Sequence, residues 1–177
     1  LELQIVPYLA AIGYKIFGVH EVFGRLIAIA FGLGTIGLVG FFARWLFTST
    51  VAGVAAMALY AIFPGSIYYS RTFQPDGAMV FFLVAALYAW SRWIVPSTSS
   101  GQARTWRGGL VAGVLLALAF LAKQVALLAL IPAAALLLGR FRWQAVLVLA
   151  ASLVPLALYG PYVAAHAEWH WASGILR

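Results

Sequence analysis

The chain is 177 residues long, 65% apolar and only 8% charged, with a net charge of +7 and no cysteine. A soluble domain carries about 25% charged residues, so a water-facing globule is excluded, and the missing cysteines exclude disulfides, thiolate metal sites and a cysteine nucleophile. The natural solvent is a bilayer, where backbone polar groups must be satisfied internally and apolar runs of about 20 residues without period-two alternation select helices over barrel strands.

The first stretch, Leu1 to Phe17, holds Glu2, Tyr8, Tyr14 and Lys15 among apolar residues. It is short for a span, and its aromatics and lysine suit a helix lying at the membrane surface, with a true span as the alternative. The chain opens on Leu1 without a basic leader region, so a signal peptide is not expected and the sequence reads as an internal piece of a longer protein. After a turn at Gly18-Val19-His20-Glu21, a span is predicted from about Val22 to Phe47, with Arg25 and Arg44 near its two ends. Gly32, Gly34 and Gly37 within it suit close helix packing and lack the strand context of a nucleotide loop.

Thr48-Ser49-Thr50 makes a tight connection to a second span, about Val51 to Tyr69, bent or ended near Pro64-Gly65. Then comes the polar stretch Tyr69-Ser70-Arg71-Thr72-Phe73-Gln74-Pro75-Asp76, which contains the single Asp of the sequence. Proline disfavours the helical region for the residue before it, so Gln74 should be extended and a helix should start at Pro75, placing Asp76 at a helix mouth. A third span follows from about Gly77 to Trp93, and Pro96 to Arg107 reads as a polar surface loop.

Gly108 to Gly139 spans 32 residues, which as one helix would be about 48 Å long against a hydrocarbon core of about 30 Å. Such a helix would also put the Lys123 ammonium near the bilayer centre, at a cost of about 2.5–3.5 kcal/mol. A hairpin that turns near Lys123, its second pass bent near Pro132, brings the charge to the surface. It also sets Arg104 and Arg107 on the same side as Arg140 and Arg142, in keeping with the positive-inside rule. A last span, about Trp143 to Tyr162, leads into the aromatic tail His166-Ala167-Glu168-Trp169-His170-Trp171.

The expected architecture is therefore all-α: one polytopic helical bundle with an interfacial helix (1–17), about six transmembrane helices (22–163) and an aromatic tail on the outer face (164–177). In that arrangement Arg44, Arg92, Arg104, Arg107, Arg140 and Arg142 lie inside. The four acids, the three histidines, Lys15, Arg25, Arg71, Lys123 and Arg177 lie outside. The basic residues are scattered between apolar runs and read as topology-setting loop charges, so nucleic-acid binding is not expected. Acids gathered on one face suggest a functional surface, although acids are tolerated in external loops.

The runs Lys15-Ile16-Phe17-Gly18-Val19-His20-Glu21, Gly24-Arg25-Leu26, Tyr68-Tyr69-Ser70-Arg71-Thr72, Pro75-Asp76-Gly77-Ala78 and Ala119-Phe120-Leu121-Ala122-Lys123 together resemble a known group. It is that of the GT-C polyprenyl-phosphate-sugar-dependent glycosyltransferases of the protein O-mannosyltransferase and aminoarabinose-transferase (ArnT-like, glycosyltransferase family 39) type. The resemblance implies transfer of a sugar from a polyprenyl-phosphate donor to a lipid, glycan or protein acceptor at the outer face of a bacterial cell membrane. It also implies that the first catalytic acid belongs to a loop preceding Leu1, so that the present chain is a core with Asp76 as the second acid, and that Glu2 matches an acid near the active-site entrance.

Sugar transfer develops negative charge on the leaving phosphate, and fixed cations or a divalent metal ion lower that barrier. Arg71 and Lys123 are the candidate phosphate contacts, the first a planar fork and the second a point charge; as interfacial anchors both would instead snorkel to headgroups. Asp76 could hold a metal or a substrate hydroxyl, or cap the helix after Pro75. His20 and Glu21 are candidates for lining the outer cavity. His166 and His170, spaced i, i+4, could share a metal on a helix face, while the surrounding aromatics favour an interfacial belt. A transporter or channel fragment, with Arg71, Asp76 and Lys123 lining a path, and a non-catalytic assembly subunit remain the alternatives.

Overall fold

The computed structural model describes residues 3, 5–72, 74–95, 106–138 and 142–165, apart from the side chains of Glu21, Ser70, Arg71 and Ala164. Every regular element among them is helical: α1 (Ile5–Phe17), α2 (Glu21–Phe47), α3 (Thr50–Ile62), α4 (Pro64–Arg71), α5 (Pro75–Ile94), α6 (Trp106–Ala122), a 3-10 segment (Gln124–Ala129), α7 (Leu130–Leu138) and α8 (Trp143–Ala165). The segments Val22–Phe47, Pro75–Ile94 and Trp143–Val163 are long and apolar enough to cross a membrane, whereas Ile5–Phe17, Thr50–Ile62, Trp106–Ala122 and Gln124–Leu138 are apolar but shorter.

Local chemistry sets the ends of these helices. Thr48 takes a left-handed conformation with φ of 49°, and the Ser49 hydroxyl accepts the Ala52 N–H at 3.3 Å, so the Thr48-Ser49-Thr50 turn closes α2 and caps α3 together. The second apolar run breaks at Phe63, which is extended, and α4 restarts on Pro64, whose fixed φ and missing N–H suit a first helical position. Gln74 is extended and Pro75 opens α5, as the proline predicts.

The core is built around α5, which packs most extensively on α6 and also meets α2 and α7. Trp90 and Ile94 of α5 and Leu116 and Phe120 of α6 are fully buried, and the Trp90 indole donates to the Ala133 carbonyl of α7 at 3.2 Å. Leu33, Phe41, Leu59, Leu147 and Leu158 on α2, α3 and α8 are exposed, as lipid-facing side chains would be.

Glycines let two pairs of helices close up. A Cβ on Gly53 of α3 would stand 2.9 Å from the Gly40 carbonyl oxygen of α2, and one on Gly109 of α6 would stand 2.7 Å from the Trp93 ring of α5. Of the three glycines expected to pack closely, Gly34 does so against Phe81, Gly37 has nothing within 4 Å, and Gly32 lines a cleft. The crossing point on α2 is Gly40, where the facing residue is itself a glycine.

The chain reverses at Lys123, as a hairpin requires. α6 ends at Ala122, Lys123 is extended (φ −159°, ψ 133°), and the following segment returns along α5 as far as Ala133 and Trp90. The second pass changes from 3-10 (Gln124–Ala129) to α-helix at Leu130, two residues before Pro132, near where the sequence set its bend.

Candidate functional site

The two ends of the bundle differ in chemistry. At one end Arg92 lies over Tyr88 with 5.6 Å from guanidinium carbon to ring centroid, and Arg142 lies over Trp93 at 5.5 Å. Phe42 and Trp45, next to Arg44, meet Tyr88 at the same end. Phe31 of α2 touches Phe81 and Phe82 of α5 while Phe42 reaches Tyr88, so α2 and α5 run parallel and both begin at the opposite end. That opposite end carries Asp76 and Lys123.

Asp76 sits in the first turn of α5, where the positive end of the helix dipole favours a carboxylate. It is not the cap, a position held by Gln74. Its partner is Lys123, whose Nζ donates to Asp76 Oδ1 at 2.7 Å. The two groups are 16% and 27% exposed, enough to be reached from water and sheltered enough for the charge pair to count. The α6 turn fixes the lysine: its N–H donates to the Ala119 carbonyl at 3.1 Å and its own carbonyl accepts from Ala126 at 3.0 Å. The N-terminal segment reaches the same turn, the Leu3 N–H donating to the Leu121 carbonyl at 2.7 Å.

The end of α4 abuts the start of α5. A Cβ on Gly77 would lie 3.7 Å from the Tyr69 carbonyl, which also accepts from the Thr72 hydroxyl at 3.3 Å. Arg71 is the last residue of α4 and Asp76 the second residue of α5, five positions apart.

Of the residues singled out from the sequence, Asp76 and Lys123 are thus brought into contact, while Arg71 ends the helix before α5. His20 stands elsewhere on that end. It occupies the N-cap position of α2 without a side-chain cap bond, and its exposed ring lies 6.4 Å from Phe23 in a cluster with Phe17 and Tyr14. Glu21 begins α2. Glu2, His166 and His170 fall outside the described residues. Among the described residues no group of three or more His, Asp or Glu converges, so a divalent ion here would need ligands in addition to Asp76, whose Oδ1 already accepts from an ammonium.

Sequence reasoning set Asp76 at a helix mouth beside the hairpin tip that carries Lys123, on one face, but gave the two separate roles and did not pair them. It missed Tyr69 and Ser66, which line a cleft beside Gly77. Across residues 4–165 the chain matches the family model described as dolichyl-phosphate-mannose-protein mannosyltransferase. No curated protein and no solved structure matches it.

Proposed function

The chain belongs to the dolichyl-phosphate-mannose-protein mannosyltransferase family, and from that membership we propose that it forms the membrane core of an enzyme transferring a sugar from a polyprenyl-phosphate carrier at the outer membrane face. The family makes it a polyprenyl-phosphate-sugar-dependent membrane glycosyltransferase. The observation that carries the rest of the reading is the 2.7 Å pair between Lys123 and Asp76, which joins the mouth of α5 to the α6 turn.

In such a transfer the acceptor oxygen forms a bond to the anomeric carbon as the bond from that carbon to the phosphate oxygen breaks, and charge develops on the departing phosphate. Lys123 is the cation that meets this charge, Asp76 orients its ammonium, and Arg71 at the end of α4 adds a planar fork. A path through the bilayer would place such charges within the spans, whereas these lie at helix ends. With α3 and α4 forming one bent crossing and the 3-10 segment and α7 another, the bundle has six crossings. The Lys123 end then faces outward and the arginine-rich end faces the cytoplasm.

The pair can be tested by exchange. Lys123→Met and Asp76→Asn should each lower transfer by about a hundredfold or more with expression kept, and the double variant should be no worse than the more damaged single. The exchanged variant Asp76→Lys/Lys123→Asp should recover thermal stability without recovering transfer. Full transfer by the exchanged protein would reduce the pair to a structural clamp and sink the reading.

A further inference from the structure

The arginine-rich end of the bundle holds a cation that no described carboxylate answers. Arg142 is fixed at the start of α8, where its carbonyl accepts from the N–H groups of Ala145 and Val146 at 3.0 and 3.3 Å. Its guanidinium carbon stands 5.5 Å from the centroid of the Trp93 ring. Its Nη1 is shut off from solvent and has no hydrogen-bond partner among the described residues. A buried polar atom in that state calls for a group that completes it. The indole face offsets part of the lost hydration, and because the residue as a whole is only half-buried, the rest of the guanidinium stays accessible to an anion.

Three elements converge there. Trp93, in the last turn of α5, is 7% exposed, and a Cβ on Gly108 or Gly109 would stand 3.1 or 2.7 Å from its ring, which sets the first turn of α6 against it. A Cβ on Gly113 of α6 would stand 2.9 Å from Val148 of α8, so the two helices run side by side from the same end. First-turn N–H groups have no acceptor within their own helix, and the dipole favours an anion at that position. The two acids among the described residues, Glu21 and Asp76, belong to helix starts at the opposite end, so neither neutralises Arg142.

The flanks indicate what the anion is attached to. Trp106 and Trp143, the first residues of α6 and α8, are 71% and 65% exposed, as indoles at headgroup level are. Leu110 and Val114 continue the Trp106 stripe at four-residue spacing, Leu147 continues that of Trp143, and all three are exposed, an apolar surface suited to acyl chains. We propose that Arg142, laid on Trp93 where α6 and α8 begin, binds the phosphate of an anionic phospholipid whose chains lie along these helices. The site is at the other end of the bundle from Asp76 and Lys123 and stands independently of sugar transfer.

The test uses the intact protein in detergent and dioleoylphosphatidylglycerol. Native mass spectrometry should show a saturable phosphatidylglycerol adduct, with phosphatidylcholine and inorganic phosphate bound about tenfold more weakly or less. Arg142→Gln should weaken the adduct about tenfold. Arg142→Lys should recover only part of that loss, since an ammonium lacks the fork, and Arg44→Gln at the same end should leave binding nearly unchanged. In the unaltered protein, a phosphatidylglycerol carrying a diazirine close to its headgroup should label peptides that contain Trp106 or Trp143. Equal losses from Arg142→Gln and Arg44→Gln overturn the site in favour of general attraction to a basic surface. Equal binding of phosphatidylcholine or inorganic phosphate overturns the anionic-lipid assignment, and labelling confined to α2 and α3 overturns the location whatever the variants do.

Discussion

An ammonium and a carboxylate 2.7 Å apart, 27% and 16% exposed, lie between the surface pair that contributes almost nothing and the buried pair whose desolvation rivals its attraction. Such a pair holds position more than it adds stability, which is what the proposed role of Lys123 as a phosphate contact requires: it must be in place before a donor arrives and able to share its donors afterwards. Arg71 has a different task in this scheme. Its guanidinium suits two phosphate oxygens at once, so Arg71→Ala should raise the KM for the lipid-phosphate donor about tenfold and leave that for the acceptor nearly unchanged, and Arg71→Lys should recover only part of the loss. Equal effects on both substrates in a two-substrate kinetic analysis would assign Arg71 a structural role. Each of these residues was legible in the sequence as a lone polar group beside apolar runs. Their pairing was not, because Asp76 and Lys123 are 47 positions apart and meet only once α6 has run antiparallel to α5.

At the scale of the helix, glycines divide by what they face. Gly109→Val would drive a branched side chain into the Trp93 ring and open the α5–α6 contact that carries the core, a loss of about 1–3 kcal/mol. Gly37→Ala meets nothing within 4 Å and removes a flexible residue from a helix interior, a gain of about 0.5–1 kcal/mol. Thermal unfolding of the detergent-solubilised protein should therefore fall for the first and hold or rise for the second; the same sign for both would contradict the packing. The glycines advertised themselves in the sequence by being small, but which one faces another helix depends on rotation about the axis, and a helix apolar all round gives no stripe from which to read it. Boundaries were easier. Pro75 announced the start of α5 and Ser49 that of α3, because proline and serine act on their own backbone. Pro132 marked the neighbourhood of the change from 3-10 to α-helix at Leu130, though not the 3-10 segment that precedes it.

For the whole molecule, what matters is that the charged groups with described side chains lie toward two ends of the bundle. Asp76, Lys123, His20 and the start of α2 share one, and Arg44, Arg92, Arg107 and Arg142 lie toward the other. α5, at 20 residues, is about 30 Å long, the thickness of a bilayer core, and α3 with α4, at 13 and 8 residues, reaches about that length only as a joined pair. The arginine-rich end is the one the positive-inside rule assigns to the cytoplasm. Single cysteines placed at 20, 72 and 123 in this cysteine-free sequence should therefore react with an impermeant maleimide from outside intact cells. Cysteines at 48 and 107 should react only after the membrane is opened. Reaction of 123 only after the membrane is opened, together with 107, would mean that α6 does not cross, and the Lys123 turn would then lie on the face away from position 72 and a donor outside.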